Sequence, residues 1–193
     1  MKPFWSLGLL GVSLWPPQNP PPRNEKPVKL YALLDDKKNQ WCGYTDETRW
    51  KSETDRTLAE TTASIEFINR HPRVVVLWLD DEAGSGDWAV QQTYKLNDAG
   101  EILWVEAITN VLPGDFSRKE IYQRRGSRLV RTSVKLTSMT TKLPLTEKPD
   151  WTPSLPVYKT ASALPMAPLI ARSREILSGG TLCTYARSTG SGD

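Results

Sequence analysis

"TYKLNDAGEILWVE", residues 93–106, decides the fold. Apolar and polar residues alternate on both sides of "NDAG" at 97–100, which is the pattern of a β-hairpin. Residues 97–100 suit a type I turn with Gly100 in the left-handed region as a bulge. Under that turn Leu96 faces Ile102, Tyr94 faces Trp104, Gln92 faces Glu106 and Val90 faces Ile108. Side chains alternate with period two, so these residues and Trp88 share one face. The aromatic set Trp88, Tyr94 and Trp104, beside the polar pair Gln92 and Glu106, is then a candidate ligand-binding surface. The plainer reading of that pair is a Gln–Glu hydrogen bond at the sheet margin. A two-residue loop of Asp98 and Ala99 would set Tyr94 against Leu103 and move Glu106 to the other face. Register decides between these readings.

Outward from this hairpin the same pattern repeats. Strand-like runs occur near 73–80, 87–96, 101–109, 116–123 and 128–138, separated by "EAGSG", "NDAG", "LPG" and "RRG". Strands joined by short links form an antiparallel meander. Upstream, "VKLYALLDDKKNQWCGY" offers two strands near 28–34 and 39–44 with a charged turn between them. Thr45 is placed to cap a short helix whose first turn carries Asp46 and Glu47. Residues 60–68 read as a strand turning at "NRHP" into "RVVVLWL", with a helix over 54–68 as the alternative. "QRRGSR" allows a two-residue turn at Arg125 and Gly126, pairing Tyr122 with Leu129, Ile121 with Val130 and Glu120 with Arg131. The expected class is mainly β: an antiparallel meander, open and twisted or partly closed into a barrel, with at most one or two short helices. The outline is similar to periplasmic lipoprotein-carrier half-barrels and lipocalin-like barrels in architecture alone. No motif of either is present, so no function is carried over.

Proline marks the limits of this region. Six of the 15 prolines lie in residues 16–27 and six more in 144–168. Proline lacks the N–H that a sheet ladder uses, which leaves residues 28–143 as the β domain. Residues 1–15, "MKPFWSLGLLGVSLW", carry one cation at Lys2 and then an uncharged apolar run, as a signal peptide does. That run is shorter than the ~20 residues of a membrane-crossing helix. Residues 16–27 read as an extended Pro-rich linker. Residues 144–193 read as a partly ordered tail that wraps the domain or hangs loose. Within it "PLIARSREIL" is expected to form a short helix, with Pro168 at its first position and Gly179 at its end. The closing "RSTGSGD" is expected to be disordered.

The chemistry offered is sparse. "WCG" at 41–43 resembles the start of the thioredoxin active site, but the second cysteine is absent. Export to an oxidising compartment instead pairs Cys42 with Cys183, with two free thiols as the alternative. Asp80, Asp81, Glu82 and Asp87 could offer oxygen ligands, yet their spacing fits no calcium loop. His71 is the single histidine, which excludes a multi-histidine zinc site. No phosphate loop or nucleophile elbow is present, and no cofactor is expected. The net charge of +3 favours neither a nucleic-acid binder nor a trap for acidic ligands. Between 115 and 142, however, eight basic residues (among them Arg118, Arg124, Arg125 and Arg128) meet only Asp115 and Glu120.

These readings lead to an exported, secreted or periplasmic protein of bacterial type. It is expected to be a non-catalytic binding or structural module of the cell envelope. Three roles follow: a carrier of an apolar small molecule on the aromatic face, a hydrolase-like enzyme using Asp80, Asp81 or Glu106, or a module whose basic hairpin meets an anionic envelope surface.

Overall fold

A computed structural model of the chain describes residues 26–80, 87–146 and 156–186. The signal-peptide reading of 1–15, nearly all of the linker, Asp81, Glu82 with the "EAGSG" turn, and the closing "RSTGSGD" lie outside them.

Among the described residues nine antiparallel strands form one open sheet that does not close into a barrel. They are β1 (Val28–Asp35), β2 (Gln40–Tyr44), β3 (Thr61–Ile68), β4 (His71–Asp80), β5 (Trp88–Leu96), β6 (Ile102–Val111), β7 (Phe116–Arg125), β8 (Arg128–Ser138) and β9 (Leu182–Tyr185). Their spatial order is β8-β7-β6-β5-β4-β3-β1-β2-β9. From β3 to β8 the sheet is the expected meander. β1 lies between β2 and β3, and both pair with it antiparallel. β2 and β3 therefore run parallel, and their link must cross over a sheet face. Helix α1 (Glu47–Thr57) makes that crossing.

Among the described residues three short α-helices are present, where one or two were expected. α1 is capped by Asp46, not Thr45: its carboxylate accepts from the Arg49 N–H at 2.8 Å. The helix ends where Leu58 turns left-handed, at φ 53°. Beyond it period two takes over. Ala63, Ile65 and Phe67 are buried, while Thr62, Ser64 and Glu66 are half-exposed. Trp50 fastens α1 to β1 by donating its indole N–H to the Ala32 carbonyl at 3.1 Å and stacking on Tyr31 at 5.2 Å. "PLIARSREIL" breaks at Arg172 into α2 (Ala167–Ala171) and α3 (Ser173–Leu177).

The register of the first hairpin differs from expectation by one residue. The turn itself forms as read, with Gly100 at φ 76° and Leu96 opposite Ile102. Lys95 then pairs with Trp104, which leaves Leu103 without a partner. This extra residue turns the rest of β6 over. Tyr94 faces Val105, Thr93 faces Glu106 and Gln92 faces Ala107. Neither the three-residue nor the two-residue loop reading gives this pairing.

The second hairpin turns at Gly126 and Ser127, with Arg125 opposite Arg128. Glycine at φ 60° in the first central position is what a type II′ turn requires, and it displaces the expected turn by one residue. Tyr122 faces Arg131, Arg124 faces Leu129 and Gln123 faces Val130. Thr132 is left unpaired in a second bulge. At the far end of this hairpin Asp115 ties the β6–β7 turn to the end of β8. Hydrogen bonds from the Ser138 hydroxyl (2.7 Å) and from Thr140 (2.8 and 2.9 Å) reach its carboxylate. They hold that carboxyl below the usual carboxylate range.

One sheet face carries the main core. Leu30, Ala32, Trp41, Ile65, Val75, Leu77, Tyr94, Ile102 and Val105 pack there against Leu164, Met166, Leu169 and Ile176 from the chain beyond residue 143. The sheet thus extends past the Pro-poor region, and this segment supplies the second layer. Each of these four apolar side chains is fully buried, worth about 2 kcal/mol of transfer free energy apiece as an upper figure. Gly43 admits the layer: a Cβ there would lie 2.9 Å from Ile176 and 3.1 Å from Leu169. β9 then pairs with β2, and a disulfide joins Cys42 to Cys183 across the two strands. On the opposite sheet face α1 covers Leu33, Cys42 and Tyr44.

Candidate functional site

The aromatic surface read from the sequence does not assemble. Tyr94 is fully buried, tilted against Tyr158 with ring centres 6.3 Å apart. Its hydroxyl donates to Gln92 Oε1 at 2.7 Å, and Gln92 Nε2 donates to the Pro156 carbonyl at 3.1 Å. Burial pushes the Tyr94 phenol far above the ordinary tyrosine range. Gln92 is thus a satisfied core amide that fastens the segment after residue 155 to the sheet. Trp104 lies on the other face beneath the Lys95 ammonium, 4.7 Å from its ring centre. Glu106 shares that face and pairs with Lys119. Trp88 stays on the core face but stands at the far end of its strand. The Gln92–Glu106 and Tyr94–Trp104 pairs are both undone by the unpaired Leu103.

The acidic residues are likewise apart. Asp80 ends β4 and is exposed. Glu106 sits two strands away and in a different row, on the order of 15 Å from strand spacings. Among the described residues no three metal-ligating side chains gather.

The two ends of the sheet differ in charge, because a meander sends alternate turns to opposite ends. One end holds a cleft of 730 Å³ whose floor includes Leu34, Leu79 and Trp88. On its charged rim Lys38 pairs with Asp35, and Arg56 with the neighbouring Glu53.

The other end collects the turns at 69–70, 97–100 and 126–127 together with the start of β1. Of the basic residues read from the sequence, two are occupied. Arg118 donates to Glu120 Oε1 at 2.8 Å, which also accepts from Arg131 at 2.9 Å. Arg124 donates to the carbonyls of Ile102 (2.6 Å) and Lys159 (2.9 Å), pinning the hairpin to the body. Arg125 and Arg128 are exposed at the tip, and among the described residues neither has a carboxylate partner. About 20 Å away, four strand spacings across the sheet, Lys26, Arg70 and Arg174 surround a 410 Å³ pocket. These three are also exposed and unpaired among the described residues. Between the two groups the acids are engaged: Asp98 with Arg73, and Glu101 with Asn97.

Sequence reading missed Lys26, Arg70 and Arg174. Part of the signal was present: summing charge over alternate turns of the meander brings "NRHPR" at 69–73 and "RRGSR" at 124–128 to one end. Arg174 carries no such signal, since only the packing of α3 brings it there.

The chain matches no protein-family model, no curated protein and no solved structure. Its function must be read from its own surface.

Proposed function

We propose that this protein is a non-catalytic interaction module of a bacterial-type cell envelope, secreted or periplasmic, that docks on an anionic membrane surface by the basic end of its sheet. The carrying observation is the collection of Lys26, Arg70, Arg125, Arg128 and Arg174 at one end without carboxylate partners among the described residues. Cations left unpaired along one rigid edge of a fold are free to meet phosphate groups. The net charge of +3 is too small to attract a surface from every side, so any attraction is local. The Cys42–Cys183 disulfide is compatible with an oxidising compartment. Among the described residues no helix is long and apolar enough to cross a membrane. The apolar-carrier reading keeps one support, the cleft beside Trp88, but loses the aromatic face that prompted it.

Co-sedimentation with vesicles tests the proposal. Each cation near an anionic surface contributes ~1 kcal/mol. The triple variant Arg70→Gln, Arg125→Gln, Arg128→Gln should therefore lose about 100-fold in partitioning to phosphatidylglycerol vesicles. A control replacing Lys37 and Lys142 at the other end should bind as the parent protein does. Equal binding by parent and triple variant, or equal binding to neutral vesicles, would reject the proposal.

A further inference from the structure

The pocket at the basic end has a composition that plain electrostatic docking does not call for. Its rim is Lys26, Arg70 and Arg174; its wall and floor are Val28, Phe67 and Leu177. Among the described residues no acidic side chain lines it. Glu175, the nearest acid in sequence to Arg174, is held by both guanidinium arms of Arg172 at 2.9 and 2.6 Å. Val28 is half exposed at the first position of β1. The volume of 410 Å³ falls within the ~300–1,000 Å³ range of small-molecule sites.

Three cations around apolar carbon fit one class of ligand. A polyphosphate would satisfy the rim and leave the floor unused. A neutral lipid would fill the floor and leave three cations unanswered. We infer that this pocket binds a single anionic amphiphile, with its phosphate or carboxylate between Arg70, Arg174 and Lys26 and the first carbons of its chain on Phe67, Leu177 and Val28. Guanidinium groups suit the oxyanion, because they present paired donors to two oxygens at once. The inference rests on the docking proposal only for the ligand's source, a membrane lipid rather than a free amphiphile.

Titration of the ¹⁵N-labelled protein with monomeric octyl phosphate tests it, with inorganic phosphate as a second arm and phosphatidylglycerol vesicles as a third. Octyl phosphate should shift the amides of residues 67–70 and 174–178 saturably, and inorganic phosphate should bind at least about tenfold more weakly. The pair Arg70→Gln and Arg174→Gln should weaken octyl phosphate at least about tenfold. The pair Arg125→Gln and Arg128→Gln should leave it unchanged while weakening vesicle binding. All four side chains are exposed, so thermal unfolding should confirm that every variant folds. Octyl phosphate binding without vesicle binding would keep the pocket and reject the docking proposal. Absence of saturable shifts, equal affinity for inorganic phosphate, or indifference to Arg70 and Arg174 would overturn the inference.

Discussion

Arg70 holds a backbone conformation that costs an arginine and suits a glycine. It follows Asn69 in a two-residue turn, with φ of 52° and 65° at the two positions. Asn-Gly is the favoured pair for such a turn. A residue with a Cβ in the left-handed region gives up ~1 kcal/mol or more, and strain of this kind is a pointer to function when a useful side chain is held there. Arg70→Gly should therefore raise the urea midpoint, by up to about 1 kcal/mol of stability. The same change should weaken vesicle binding about fivefold. A less stable variant that still binds fully would show that Arg70 serves the turn and nothing else. Leu103 is the other decisive residue. The turn at 97–100 was legible because Asn and Gly fix its geometry. The unpaired Leu103 was not, because "ILWVEAITNV" offers apolar residues to both faces. Period two then discriminates weakly between registers, and the pairing of Gln92 with Glu106 went with it.

Among the elements, the strands β4 to β8 and the β1–β2 hairpin could be read directly from apolar patterning and turn signals, whereas β3 was read against a helical alternative over 54–68. The second layer could not. Prolines at 144, 149, 153, 156, 165 and 168 show where a ladder cannot run, but they do not keep Leu164, Met166, Leu169 and Ile176 out of a core. Pro168 sits in the first turn of α2, where its missing N–H is no loss. The disulfide was legible from two cysteines and the expectation of export. Its strand pairing gives it a mechanical role, because among the described strands β9 pairs only with β2, at the sheet edge. The bond closes a loop with a sequence separation of 141, for which chain entropy sets a ceiling of about 5 kcal/mol. Cys42→Ala with Cys183→Ala should lower stability by about 2–5 kcal/mol, read as a reduced urea midpoint that reductant no longer changes. Amides of residues 182–185 should then exchange fastest among the strands. An unchanged midpoint would mean that α2 and α3 hold the segment without help.

At the scale of the whole molecule the meander acts as a sorter of charge. Strands alternate in direction, so every second turn lands at the same end, and charges far apart in sequence are gathered without any local motif. This is why the basic segment of 118–135 was only half of the surface. Arg118 and Arg124 face inward as an ion-pair member and a clamp. Lys26, Arg70 and Arg174 complete the end from three other elements. The docking proposal fixes an orientation: this end meets the membrane and the end with the Trp88 cleft faces away. Paramagnetic lipid in phosphatidylglycerol bicelles tests it most directly, by broadening the amide resonances of whichever residues lie nearest the surface. Broadening should be strongest at 69–70 and 126–127 and least at 36–39 and 112–115. Uniform broadening, or broadening greatest at 36–39 and 112–115, would contradict it.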